Sequence, residues 1–68
     1  MSEAVDKSSI VAEIETLRVE HRELDQRLLE LDAQLWLTPE EQVERRNCQK
    51  LKLLKKDRIF ELSQLIES

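Results

Sequence analysis

The chain contains no glycine and no tyrosine, and 68 residues hold one proline, one tryptophan, one phenylalanine and one cysteine. Glycine is the residue that tight turns with positive φ require, and aromatic side chains are what stacked strands pack with. Their shortage excludes a β-sandwich or barrel, which needs frequent turns and many such strands. A lone cysteine closes no internal disulfide, so nothing implies an oxidising compartment. The leading MSEAVDKSS lacks the apolar core of a signal peptide, and no apolar run approaches the length of a membrane span. The expected location is the cytoplasm.

What the chain does have is aliphatic and charged residues, 40% hydrophobic and 38% charged, a balance suited to long helices or a coiled coil. A net charge of −4 argues against generic nucleic-acid binding. At 68 residues the chain is one domain, near the lower limit for an unaided core.

Periodicity supplies the first element. Ile10, Ile14, Leu17, His21, Leu24, Leu28, Leu31 and Leu35 alternate gaps of four and three, the spacing of a heptad seam. It predicts helix 1 over about 9–37, behind a disordered leader at 1–8. Asp6, Ser8 and Ser9 are all eligible caps, and none has a glutamate three residues on to decide between them.

The one break is LWLTPEEQVERR, residues 35–46. Pro39 disfavours helical geometry at Thr38, so helix 1 should stop near Trp36 or Leu37. Thr38 is then a good N-cap, Pro39 loses nothing at the first helical position, and Glu41 completes a T-x-x-E capping box. Helix 2 is expected over about 39–66, with almost no loop before it. Helices joined so tightly run antiparallel.

That geometry can be tested within the sequence. With a turn at 37–39, residue i faces residue 76 − i. Ile10 meets Ile66, Ile14 meets Leu62, Leu17 meets Ile59 and Leu28 meets Cys48. In the middle, His21 and Leu24 face Lys55 and Lys52, whose aliphatic stems can line the seam while the ammonium groups reach water. Charge agrees: residues 1–37 carry nine acids and four bases, and the remainder seven bases and six acids. Glu20, Glu23 and Asp25 should lie beside the basic stretch KLKLLKKDR at 50–58.

Apolar residues are left over. Val11, Leu29 and Trp36 flank helix 1, Leu53 and Phe60 sit on the back of helix 2, and Leu54 and Leu65 edge its inner stripe. One hairpin cannot bury all of them; they are either scattered surface hydrophobes, which are normal on a protein, or a second seam. The reading is an all-α, coiled-coil-like antiparallel hairpin over residues 9–68 that pairs into a homodimeric four-helix bundle, or docks a protein partner, chiefly through Leu29, Trp36, Leu53 and Phe60.

The stretches EHRELDQRLLELD (20–32) and LTPEEQVERRNCQKLKLLKKDRI (37–59) resemble the YdcH-like family of small bacterial proteins, a domain of unknown function. The shared features are His21 followed by Leu24-Asp25, the Thr-Pro-Glu-Glu helix start, the Gln-Lys-Leu-Lys-Leu segment, and Lys56-Asp57 before Ile59. The resemblance covers about residues 10–62. It implies a short helical hairpin and no activity, cofactor or catalytic residue. Cys48 departs from it, standing where a larger aliphatic residue is expected.

Catalytic chemistry has little to work with. His21 reads as a seam residue bonded to Asp25 one turn on or to another nearby carboxylate, and Cys48 as a small buried hydrophobe. The register separates the two by about seven residues, roughly 10 Å along the axis. No zinc spacing, phosphate-cradling loop or nucleophile–base pair is present. The expectation is a non-enzymatic structural or adaptor protein with no cofactor, metal or small-molecule substrate. Two alternatives stand beside it. One is a hairpin tip inserted into a larger machine such as RNA polymerase, through Glu40, Glu41 and Trp36. The other is weak binding of an anionic polymer or membrane through residues 50–58.

Overall fold

The computed structural model describes residues 6–67 as two helices, α1 (Lys7–Asp32) and α2 (Pro39–Glu67), folded back on each other. The molecule is a rod of 53 × 17 × 15 Å. Residues 1–5 of the expected leader, and Ser68, lie outside the described residues.

Asp6 caps α1. One carboxylate oxygen accepts from the Ser8 backbone N–H at 3.0 Å and the other from the Ser9 hydroxyl at 3.1 Å. Lys7 and Ser8 therefore belong to the helix and not to a leader ending at residue 8. At α2 the capping box is complete: the Glu41 N–H donates to Thr38 Oγ1 at 3.1 Å, and the Thr38 N–H donates to Glu41 Oε1 at 3.0 Å. Pro39 takes the first helical position, where its missing N–H leaves no bond unmade.

The helices pack in the expected register. Ile10, Ile14 and Leu62 form a buried cluster, with Leu17, Ile59 and Ile66 against it. Leu28, Leu31 and Cys48 are buried nearer the turn, and Leu31 is 0% exposed. Between these regions His21, Leu24, Lys52 and Lys55 are half-buried, so the lysine stems do line the seam.

Helix 1 is shorter than expected. It ends at Asp32 rather than at 37, and residues 33–38 form a connection of six residues where almost no loop was expected. In this register Asp32 lies level with Glu44, so the first turn of α2 projects beyond the end of α1. The chain leaves α1 through N–H bonds from Ala33 to the Leu29 carbonyl (3.0 Å) and from Gln34 to the Leu31 carbonyl (3.2 Å). It then runs beside the projecting turn, where the Gln42 side-chain amide donates to the Leu37 carbonyl at 3.3 Å. The reason is steric. Packed helices stand 8–10 Å apart, and the chain must cross that gap and reverse direction before Thr38. With the α2 start fixed by its cap, α1 is the helix that unwinds. Leu35 thereby loses its expected place as the eighth seam residue and is 101% exposed.

Candidate interaction surface

A two-helix seam has two broad flanks, and interhelical ion pairs identify them. On one flank Glu13 faces Arg58 (3.7 Å), Glu20 faces Lys55 (3.0 Å), and Arg27 faces Glu44 (2.7 Å). On the other, Asp25 faces Lys52 (2.5 Å) and Asp32 faces Arg45 (2.6 Å). Lys52, Lys55 and Arg45 stand at seam positions and reach sideways; the other residues of the first flank immediately precede seam positions, and those of the second immediately follow them.

The first flank is acidic. Seven carboxylates (Glu13, Glu20, Glu23, Glu30, Glu40, Glu44, Glu61) share it with Arg27, Lys55 and Arg58. The second is basic, with Arg18, Arg22, Arg45, Arg46, Lys52 and Lys56 against Glu15, Asp25, Asp32 and Glu67. Each flank also carries an exposed apolar stripe: Leu51, Leu54 and Leu65 on the acidic side, and Val11, Leu29, Leu53 and Phe60 on the basic side.

Open grooves run beneath both stripes. On the acidic side, Leu24, Cys48 and Leu51 share one groove with Glu20 and Glu23, and Leu17, Leu51 and Leu54 line a second. Cys48 is smaller than a leucine, which leaves this layer thin. On the basic side, His21, Leu53 and Ile59 line a groove rimmed by Lys52 and Lys56. His21 forms no hydrogen bond to Asp25 among the described residues. The expected partner of the imidazole is taken by Lys52.

The pairs set the ionisation of several groups. The hydrogen bond from Lys52 holds the Asp25 carboxyl below its ordinary range. That from Arg27 does the same for Glu44, and the Thr38 backbone N–H for Glu41. Arg27, bonded to Glu44 and Glu30, is held more firmly protonated than usual. These groups lie at the surface, where such pairs contribute little stability each. Their role is to fix register and direction.

All four residues expected to form an interaction surface are exposed, but they do not make one patch. Leu29, Leu53 and Phe60 are strung along the basic flank. In this register the step from Leu29 to Leu53 is about six residues, or roughly 9 Å, and Phe60 lies another turn or two beyond. Trp36, 85% exposed, stands apart in the connection. Sequence reasoning undervalued Leu51 and Leu54 because their spacing merges with the inner stripe. Only the ion pairs separate flank from seam.

Of the basic stretch at 50–58, Lys52, Lys55 and Arg58 are engaged by carboxylates of α1, while Lys50 and Lys56 form no ion pair among the described residues. No group of three or more His, Cys, Asp or Glu side chains that could hold a metal ion occurs among the described residues. No helix among them is long and apolar enough to cross a membrane. No protein-family model, curated protein or solved structure matches the chain.

Proposed function

We propose that this chain is a non-enzymatic structural or adaptor module of the cytoplasm, one that self-associates and presents a helical surface to other proteins. One observation carries the reading: among the described residues, eleven large hydrophobic side chains are exposed and six apolar ones are buried. Burying one large apolar side chain is worth about 1.5–3 kcal/mol, so a lone hairpin leaves much of its folding drive unused. Pairing hairpins into a four-helix bundle covers the stripes that contain Leu29, Leu53 and Phe60 and supplies the core that 68 residues lack.

Membership of the YdcH-like family belongs to this reading, supported by the motifs at 20–32 and 37–59. The non-enzymatic assignment draws on the sequence, which offers no nucleophile–base pair, and on grooves that are open rather than enclosing. Sedimentation of the purified chain tests it. A helical monomer at tens of micromolar would remove self-association and leave docking to a different protein. A second reading, the inserted hairpin tip, draws on Leu35 and Trp36, which stand in solvent at the turn.

A further inference from the structure

The two flanks of the rod are unlike. Leu51 and Leu54 lie on the flank where seven carboxylates outnumber three cations, two of which, Lys55 and Arg58, line their groove, whereas Leu53 and Phe60 lie among Arg18, Arg22 and Lys56, which form no ion pair among the described residues. We infer that the occupant of each flank is a second copy of this chain docked face to back, the acidic flank of one hairpin on the basic flank of the next. The inference rests on the self-association reading above but replaces its closed pair of hairpins with a face-to-back contact.

Charge decides between the pairings. Helices in contact stand 8–10 Å apart, which is about one Debye length at physiological salt, so facing charges still interact. Acidic flank on acidic flank sets seven carboxylates opposite seven, and like charges set close together are unfavourable. Acidic on basic places Glu20 and Glu23 of one hairpin near Arg18 and Arg22 of the next. The leucines of one flank meanwhile cover Leu53 and Phe60 of the other. The area is adequate, since a face of 53 × 17 Å matches the ~800 Å² per partner of a standard interface.

A contact between two different faces is heterologous. Each hairpin in a pair keeps one flank open, so growth does not stop at two unless a rotation closes the ring. Assembly should also weaken with salt, which screens the charges while leaving apolar contact intact.

Sedimentation equilibrium of three chains tests this. Leu51→Ser with Leu54→Ser disables the acidic flank, and Leu53→Ser with Phe60→Ser disables the basic one. All four positions are exposed, and circular dichroism verifies that helicity survives. The wild type is expected to exceed the mass of a dimer, to grow with concentration and to shrink in high salt. Each variant alone should be a monomer, and the two mixed should give a 1:1 dimer, because each supplies the flank the other lacks. A wild-type dimer that stays at two and survives one of the variants is a same-face pair, which overturns the inference but keeps self-association. A wild-type monomer removes both. If the serine variants lose helicity, Arg18→Glu with Arg22→Glu serves instead. It should be monomeric alone and should shorten wild-type assemblies when added; in a same-face pair it would either dimerise with itself or leave the wild type untouched.

Discussion

Arg27 and Glu44, seventeen residues apart, meet across the seam through two parallel hydrogen bonds, Nε to Oε2 at 2.7 Å and Nη2 to Oε1 at 2.9 Å. The fork of the guanidinium matches the carboxylate, so the pair specifies geometry as well as charge. It locks the turn-proximal half of α1 to the start of α2. Arg27→Lys keeps the charge and loses the fork. Exchanging the pair, as Arg27→Glu with Glu44→Arg, should recover part of what either single change loses. A double-mutant cycle in a urea titration measures that coupling, and strictly additive losses would show that the pair does not act as a unit.

Leu31 and Leu35 occupy successive positions of one heptad pattern, yet one is 0% and the other 101% exposed. Leu31→Ala should therefore cost about 2–5 kcal/mol through lost burial and a residual cavity, and Leu35→Ala close to nothing. Comparable losses in a denaturant titration would mean that helix 1 continues past Asp32.

The box at Thr38 and Glu41 starts α2 with two of its orphan N–H groups satisfied. Removing the hydroxyl, in Thr38→Ala, should lower stability by about 1 kcal/mol. Thr38→Ser keeps the acceptor and should stay near wild type. Thermal melts followed at 222 nm separate the two.

Acid should loosen the hairpin. The carboxyls of Asp25, Glu41 and Glu44 titrate below their ordinary values of 3.8 and 4.5 in the folded chain, because each accepts a hydrogen bond as an anion. A depressed folded pKa gives stability that is complete above the ordinary value and is lost as pH falls through the folded one. Midpoints of unfolding should thus be flat near neutrality and fall below about pH 4. A hairpin that grows more stable from pH 5 to pH 3 would contradict these bonds.

If association supplies part of the core, the melting temperature must depend on concentration. A hundredfold dilution should lower it measurably, and the Leu53→Ser with Phe60→Ser chain should melt lower and without that dependence. A wild-type melting temperature independent of concentration would mean that a single hairpin is sufficient.

The sequence by itself determined two helices, their antiparallel sense and their register. An unbroken four–three spacing from Ile10 to Leu31 defines one face of a helix, and T-P-E-E can only begin another. Once the break is placed, matching Ile10, Ile14 and Leu17 to Ile66, Leu62 and Ile59 leaves one register that buries both sets. The end of α1 was not legible, because nothing local marks it: no glycine follows Asp32, and Leu35 continues the pattern. That boundary depends on the gap between helix axes, a distance that exists only when two helices are packed. The same holds for the flanks. Whether Leu51, Leu54 or Phe60 lies beside acids or bases depends on which side of the seam each carboxylate of α1 meets its partner, and only tertiary contact sorts those residues into two faces of opposite charge.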